Sequence, residues 1–340
     1  YLVASDHGCS LNSTWMGNTT YFDATHPDAQ KFVWEQCKEN YYQKGIRCFW
    51  LDEAEPEYGN YDFDNYRYYA GPALQCSNVY PVGYAKGFYE GLKEAGEENV
   101  MSLIRCAWAG SQKYAVLTWS GDVYSSFRSM REQLQAGLSM GMAGIPWWTS
   151  DIGGFIGGQP VDPAFRELLM RWFAWGCFCP VFRMHGERSP WYEREVEYID
   201  NVRQLTSGQP NEVWSFGEKV YEVLKKFLFL RERLRSYVRG LMKEASETGA
   251  PVMRPLFFDF PSDPACWNVE DSYMFGPDLL VSPVMEAGAQ QRSVYLPVGC
   301  RWTDAYTHQT YEGGQTVTVP APIDVIPVMV REGREYPIYD

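Results

Sequence analysis

The chain has 340 residues and a formal net charge of −13. A surface this acidic argues against a nucleic-acid or anionic-membrane partner, because both bind basic surfaces, whereas a neutral ligand fits. Hydrophobic residues make up 45% of the sequence, which suffices for a sizeable core, but no apolar run reaches the roughly 18 residues of a transmembrane helix.

The nine cysteines and four histidines indicate neither a disulfide framework nor a metal centre. An odd number of cysteines scattered along a large chain is typical of reduced thiols in a cytoplasmic protein. No two histidines stand at metal-ligand spacing, so we expect no metal site. No signal peptide is visible, and because the chain starts with Tyr1 rather than Met, we expect it to be part of a longer protein.

Strand and helix signals alternate along the first three quarters of the chain. Apolar stripes predict a helix opened by Pro27 and closed by Gly45, and further helices around residues 84–92, 127–138, 163–175 and 220–241. The intervening strands are short and apolar, over residues 46–51, 101–104, 143–149, 180–184 and 252–258. Such alternation predicts an α/β fold with a parallel sheet or barrel.

The pattern changes at about residue 276. Short β runs at residues 279–281, 293–296, 316–319 and 326–330 lie between Gly and Pro turns. They predict an antiparallel β appendage, so we place a domain boundary near residue 275, with domains at 1–275 and 276–340.

Polar residues follow several of the predicted parallel strands, namely Asp52, Arg105, Asp151 and His185. In a (β/α)₈ barrel the active site lies at the carboxyl ends of the strands. Five predicted strands cannot close an eight-stranded barrel. Two alternatives stay open: the remaining strands lie upstream, or the sheet is smaller and open.

Two acidic segments supply candidate catalytic carboxylates. Residues 52–57 hold four of them, and Asp122 follows Trp119-Ser120-Gly121 just before a predicted helix. Hydrolysis of a glycosidic bond needs two carboxyl groups that flank it. For residues 52–57 the alternative is a solvated acidic loop. For Asp122 the alternative is capping of the following helix, and spacing alone favours capping and catalysis about equally.

The segment Phe49-Trp50-Leu51-Asp52-Glu53-Ala54-Glu55-Pro56 resembles the nucleophile segment of glycoside hydrolase family 31. The stretch from Arg105 through Asp122 resembles the family's acid/base segment. The resemblance implies that Asp52 is the nucleophile, that Asp122 is the acid/base, and that Arg105 contacts substrate. In the family an aromatic residue precedes the acid/base aspartate, and here that residue is Trp119. We expect Glu55 to support the site rather than to react.

Three further motifs carry the same resemblance. Residues 145–155 form a long signature whose aspartate, here Asp151, binds sugar hydroxyls in the family, and residues 182–186 match the strand whose histidine, here His185, contacts the sugar. The loop around Trp15 resembles one that walls the subsite. We expect Trp50, Trp119 and Trp148 to offer further apolar faces to the sugar ring, with Arg183 and Phe155 in supporting positions.

The resemblance implies a partial (β/α)₈ TIM barrel followed by an antiparallel β-sandwich domain, with the family's first strands and N-terminal β-sandwich upstream. The implied reaction is retaining, exo-acting hydrolysis of terminal α-linked xylose or glucose from an oligosaccharide or other α-glycoside. It needs no cofactor, and its two carboxyl groups stand about 5–5.5 Å apart. An α-transglycosylase and a non-catalytic carbohydrate-binding fragment are the alternatives, and a homo-oligomer stays open. We also expect the 340-residue piece, expressed alone, to be insoluble or inactive.

Overall fold

The computed structural model describes residues 1–7, 12–13, 19–58, 61–188, 198–199, 202–203, 208, 210–336 and 338–339. For residues 12, 13, 19, 198, 199, 202 and 203 only the backbone is described. The chain forms two compact units, Tyr1–Trp119 and Ser120–Asp340. Over the described residues, no helix combines the length and the apolar character that crossing a membrane requires.

The first unit contains three helices and eight short strands in its described part. In chain order they are β1 (Ala4–Ser5), β2 (Asn12–Ser13), β3 (Thr19–Thr20), α1 (Pro27–Asn40), β4 (Phe49–Leu51), β5 (Tyr66–Tyr68), β6 (Gly71–Pro72), α2 (Ala73–Cys76), α3 (Tyr80–Glu94), β7 (Ser102–Ile104) and β8 (Val116–Trp119). Single 3₁₀ turns occupy Tyr42–Lys44, Ser77–Val79 and Ser111–Tyr114.

Strands β4, β7 and β8 pair in parallel, as the strand–helix alternation predicts. Leu51 lies opposite Ile104, and Ile104 lies opposite Thr118. This register brings the carboxyl ends of the three strands to the same edge of the sheet. The residues that follow, Asp52 and Arg105, therefore leave the sheet side by side.

The predicted bounds in this unit need two corrections. The helix that begins at Pro27 ends at Asn40, and Gly45, at φ 103°, ends the separate 3₁₀ turn that follows. The next strand covers only Phe49–Leu51, since Ile46 is exposed and unpaired with the sheet. Strand β8 is absent from the predicted strands because its four residues lie between a 3₁₀ turn and a polar loop, where no periodicity marks them.

Glycines of α3 contact α1 and the residues just before it. A side chain at Gly91 would overlap the indole ring of Trp34, and one at Gly83 would meet the carbonyl oxygen of Ala24. The glycines of α3 therefore let the chain around α1 approach closely.

The second unit begins with barrel-type elements and ends in β structure. Its elements are α4 (Phe127–Met142), β9 (Trp148–Thr149), α5 (Pro163–Gly176), β10 (Tyr198–Ile199), β11 (Val202–Arg203), α6 (Glu218–Arg233), α7 (Arg235–Thr248), β12 (Met253–Pro255), α8 (Leu256–Asp259), a 3₁₀ helix (Pro264–Asn268), β13 (Tyr273–Phe275), β14 (Leu279–Val281), β15 (Gln291–Leu296), β16 (Arg301–Asp304), β17 (Thr310–Glu312), β18 (Gln315–Pro320) and β19 (Val328–Arg331).

The helical part of this unit shares one apolar core. Apolar stripes of α4, α5, α6 and α7 meet there, with Leu134, Trp172, Leu224 and Leu241 among the buried side chains. The long helix predicted over residues 220–241 is interrupted at Leu234, so the structure has two helices.

The predicted strand over residues 180–184 is irregular in the structure. The guanidinium of Arg231 donates hydrogen bonds to the carbonyl oxygens of Cys177, Cys179 and Pro180, at 2.7–2.8 Å, and the Val181 backbone N–H donates to the Trp148 carbonyl of β9 at 3.4 Å. Arg231 is accordingly a structural anchor, although its position among charged residues predicts a solvated face.

Antiparallel sheets dominate the end of the unit. A six-stranded sheet has the order β12-β13-β14-β19-β16-β17, and β15 pairs with β18 beside it. Trp302, Met329, Val294 and Val317 meet in a common core, which is the arrangement of a sandwich. Strand Met253–Pro255, predicted as part of a longer parallel strand, instead pairs antiparallel with β13. The boundary near residue 275 stays a prediction.

Candidate active site

In the first unit, the candidate site begins where β4 ends. Asp52 directly follows Leu51, and its Oδ1 accepts a hydrogen bond from the Glu53 backbone N–H at 2.9 Å. Glu53 lies at φ 53°, a left-handed conformation that is uncommon for a residue with a side chain and often marks a functional loop. From the neighbouring strand, the backbone N–H of Arg105 donates to the carbonyl oxygen of Leu51 at 3.2 Å.

The guanidinium of Arg105 lies among four carboxylates. It contacts Glu55 Oε1 and Glu57 Oε2 at 2.8 Å, and Asp52 Oδ1 and Glu53 Oε1 at 3.5 Å. The largely buried Arg105 side chain therefore pairs with every carboxylate of loop 52–57. Arg105 thus pairs with the predicted nucleophile Asp52 and with Glu55, while the substrate contact of Arg105 and the supporting role of Glu55 stay predictions.

Burial controls the protonation of the inner carboxyls of this cluster. Desolvation raises the pKa of Glu55, and the Arg105 charge opposes that rise. Desolvation also raises the pKa of Glu53, although the Tyr21 hydroxyl lowers it by donating a hydrogen bond to Glu53 Oε2 at 2.8 Å. Tyr21 also contacts the carbonyl oxygen of Glu57. The hydroxyl of Tyr21, which sequence patterns do not single out, thereby links the chain after β3 to this loop.

Two tryptophans lie beside the cluster in different environments. The rings of Trp50 and Trp119 make an edge-to-face contact with centroids 5.6 Å apart. Trp50 is 47% exposed, so its ring can present an apolar face to a ligand, whereas Trp119 is buried. The buried Trp119 ring packs against Trp50 in this structure, and its contact with the sugar stays a prediction.

In the second unit, Asp151 follows β9 and is fully buried. Its Oδ1 pairs with Arg183 Nη1, while Oδ2 accepts no hydrogen bond within the described part of the chain. Burial raises the pKa of Asp151 to about 6, the Asp122 charge adds to that rise, and the Arg183 charge opposes it. A buried carboxylate oxygen with an open acceptor position suits a ligand hydroxyl.

Asp122 is exposed and does not cap the following helix. The N-cap of α4 is Ser126, whose hydroxyl oxygen accepts the Ser129 backbone N–H at 3.0 Å. The capping alternative therefore fails. The segment of Asp122 lies against the segment of Asp151, because the Phe155 backbone N–H donates to the carbonyl oxygen of Val123 at 2.7 Å.

Phe155 and His185 stack on each other, with ring centroids 5.4 Å apart and planes inclined by 28°. Trp148 does not join this stack. That ring is only 2% exposed and packs against Trp175 and over Gly137, so its role as a sugar-facing wall stays a prediction that this burial does not favour. In this structure the Trp148 ring packs in the core, as most tryptophan rings do.

The structure thus brings the predicted residues together in two groups. One group, in Tyr1–Trp119, holds Asp52, Glu55, Arg105, Trp50 and Trp119, and the other, in Ser120–Asp340, holds Asp122, Asp151, Arg183, His185 and Phe155. Each group is defined within its own unit, so the predicted spacing of Asp52 and Asp122 stays a prediction. Trp15 lies outside the described residues.

A second buried arginine was not singled out by the sequence. Arg188 is fully buried and donates hydrogen bonds to the carbonyl oxygens of Ile152 and Gly154, within the signature that contains Asp151. Its only sequence signal is its place three residues after His185. Within the described residues, no three His, Cys, Asp or Glu side chains come together in a way that could hold a metal ion.

The family models match almost the whole chain. The TIM-barrel domain of glycosyl hydrolases family 31 matches residues 1–240, and the family 31 C-terminal domain matches residues 249–334. The chain therefore belongs to glycosyl hydrolase family 31. Its fold is a partial TIM barrel followed by a C-terminal domain of antiparallel sheets, as the sequence predicts.

Relatives of this chain are named as α-xylosidases and as a glucosidase. A solved α-xylosidase of this family from a soil metagenome, complexed with xylose, is 58% identical, with a TM-score of 0.95 over 98% of this chain and 49% of its own. "Uncharacterized family 31 glucosidase ORF2" of Pseudescherichia vulneris is 64% identical over 190 residues, which cover 56% of this chain and 36% of that protein.

A third relative is more distant but aligns over more of the chain. The α-xylosidase of Saccharolobus solfataricus is 34% identical over 94% of this chain and 42% of that protein. The chain spans less than half the length of these two curated relatives.

Proposed function

We propose that this chain carries the catalytic residues of a retaining exo-α-glycosidase that removes terminal α-linked xylose from oligosaccharides or other α-glycosides. The observation that carries the proposal is the position of Asp52, a half-exposed carboxylate at the carboxyl end of a parallel strand, held by Arg105 at 3.5 Å. A nucleophile must be both fixed and accessible, and Asp52 meets both requirements.

The proposed reaction has two steps. In the first, Asp52 attacks the anomeric carbon and forms a covalent glycosyl ester while the bond to the leaving oxygen breaks, and Asp122 gives that oxygen a proton. In the second, the Asp122 carboxylate takes a proton from water as that water attacks the same carbon and releases Asp52. Two inversions at one carbon give net retention.

The surrounding residues have binding roles under this proposal. Asp151 Oδ2, buried and open as an acceptor, receives a sugar hydroxyl, and His185 binds a second polar group of the sugar. Trp50 covers an apolar face of the pyranose ring. Xylose is favoured as the substrate sugar because the solved relative at 58% identity contains it.

The substrate is tested by comparing kcat/KM of the full-length protein on aryl α-xyloside and aryl α-glucoside with the same leaving group. We expect a preference for the xyloside of about 10- to 200-fold, the usual discrimination for one extra carbon-sized group in a fitted pocket. Proton NMR of the first-formed sugar should show the α anomer. A β anomer formed first would contradict the retaining mechanism.

An α-glucosidase is the second candidate, favoured by the name of the 64% identical relative. The same measurement separates the two, since a glucosidase prefers the glucoside. A transglycosylase would pass the sugar from the same covalent intermediate to a second sugar, so added acceptor would raise the yield of transfer product at the expense of free sugar. Absence of turnover on every α-glycoside would leave only the non-catalytic, carbohydrate-binding alternative.

A further inference from the structure

Arg188 occupies a closed position between two segments of the candidate site. Its Nε donates to Asn211 Oδ1 at 2.8 Å, its Nη1 to the Gly154 carbonyl at 2.7 Å, and its Nη2 to the Ile152 carbonyl at 3.1 Å. Nη2 also approaches the carbonyl oxygen of His185 at 3.5 Å. A planar guanidinium can satisfy all these acceptors at once, which an ammonium cannot.

The backbone around Arg188 is shaped to admit the guanidinium. A Cβ atom at Gly186 or Gly158 would lie 2.6 or 2.9 Å from Nη1, and one at Gly153 would lie 3.2 Å from Nη2. The ring of Phe165 covers the guanidinium at 5.0 Å. Three glycines and one aromatic ring thus enclose a single cation, so the segment 151–158 folds around it.

The enclosed segment carries the side chains that would meet the sugar. Asp151 begins it, and Phe155 within it stacks on His185. The positive charge of Arg188 lowers the pKa of Asp151, against the larger effect of burial. Burial lowers the pKa of Arg188 itself to about 10, so this group remains a cation at neutral pH.

We infer that Arg188 is a positioning residue for sugar binding, which holds Asp151, Phe155 and His185 in one arrangement through their backbone segments. The inference rests on the proposed glycosidase function and goes beyond it, because the Arg188 side chain is fully buried and its printed hydrogen bonds run to Asn211 and to the backbone of the segments that carry the site, so it acts through other residues. A merely structural arginine would stabilise the fold without affecting substrate binding.

A matched control exists in the same unit. Arg171 on α5 is also buried, and its guanidinium donates to the carbonyl oxygens of Ala289, Ala321, Pro322 and Val325, none of which belongs to the site. We expect Arg171→Met and Arg188→Met, made in the full-length protein, both to lower Tm. Only Arg188→Met should also lower kcat/KM of the folded enzyme, on the order of 10²-fold and mainly through KM.

The pH dependence of KM distinguishes a positioning role from a merely structural one, which would leave it unchanged. Loss of the Arg188 cation raises the pKa of Asp151, so the acidic limb of the KM profile should shift to higher pH in Arg188→Met and stay in place in Arg171→Met. Arg188→Lys keeps the positive charge but loses the planar set of donors. Its pH profile should therefore be close to that of the wild type, while its KM should stay raised.

If Arg188→Met does not fold, Asn211→Ala tests the same point, because it removes the acceptor of Nε and leaves the guanidinium in place. We expect a smaller rise in KM in the same direction. An unchanged KM in Asn211→Ala, or identical kinetics for Arg188→Met and Arg171→Met, would overturn the inference. A wild-type protein that hydrolyses no α-glycoside would instead overturn the proposed function, and the inference with it.

Discussion

Replacement of Asp52 by alanine is expected to abolish formation of the glycosyl ester and to lower kcat/KM on an activated aryl α-xyloside on the order of 10⁵-fold, about 7 kcal/mol of transition-state stabilisation. The loss is large because Asp52 is the carboxylate that directly follows strand β4, and the two carboxylates nearest to it in the loop are held in other contacts. Glu53 and Glu55 are held by Tyr21 and Arg105, and each is less exposed than Asp52.

Azide makes this prediction specific. The missing side chain leaves room for a small anion at the anomeric carbon, so added azide should restore turnover of the activated substrate and yield the glycosyl azide of inverted, β configuration. Product configuration by NMR is the measurement. Retained configuration in the product, or substantial hydrolysis by Asp52→Ala without azide, would exclude Asp52 as the nucleophile.

Glu57→Ala provides the control for Asp52→Ala. The Glu57 carboxylate is 49% exposed against 48% for Asp52, and it also pairs with Arg105. If the azide effect came only from loss of negative charge beside Arg105, both variants would show it. We expect a partial loss of activity in Glu57→Ala and no rescue, since a supporting carboxylate leaves no reaction step for azide to perform.

The sequence predicts those parts of the structure that local patterns determine. Strands β4 and β7 are short apolar runs, and the polar residues that follow them, Asp52 and Arg105, lie at one sheet edge because parallel strands share their carboxyl ends. In the C-terminal domain, alternation of exposed and buried residues along Gln315–Pro320 marks β18 equally well. In these elements the local preference and the tertiary environment agree.

Other features depend on contacts between distant residues, which one sequence does not reveal. Arg188 matters because carbonyl groups 34 and 36 residues earlier surround its guanidinium. Trp148 is a strong candidate by motif, but Gly137 on α4 leaves space for its ring, and the ring is buried there. The apolar segment 180–184 is irregular in the structure, and Arg231, on α6, donates to carbonyl groups at and just before its start, a contact that spans about 50 residues.

Replacement of Asp122 by alanine should give a loss of activity that depends on the leaving group. An activated aryl α-xyloside needs little proton transfer, so its kcat/KM should change modestly, whereas a natural α-xylosyl oligosaccharide should lose about 10²- to 10⁴-fold. The alkaline fall in rate, which a general acid imposes when it loses its proton, should disappear from the profile of the variant.

Asp162→Ala separates this chemical role from a structural one. Asp162 caps α5, where its Oδ1 accepts the Ala164 backbone N–H at 2.9 Å, so its removal should cost about 1 kcal/mol of stability. That cost lowers the amount of folded enzyme and affects all substrates equally. Since the cap of α4 is already supplied by Ser126, Asp122→Ala has no such cap to lose. Equal losses on both substrates in Asp122→Ala would show that Asp122 does not protonate the leaving group.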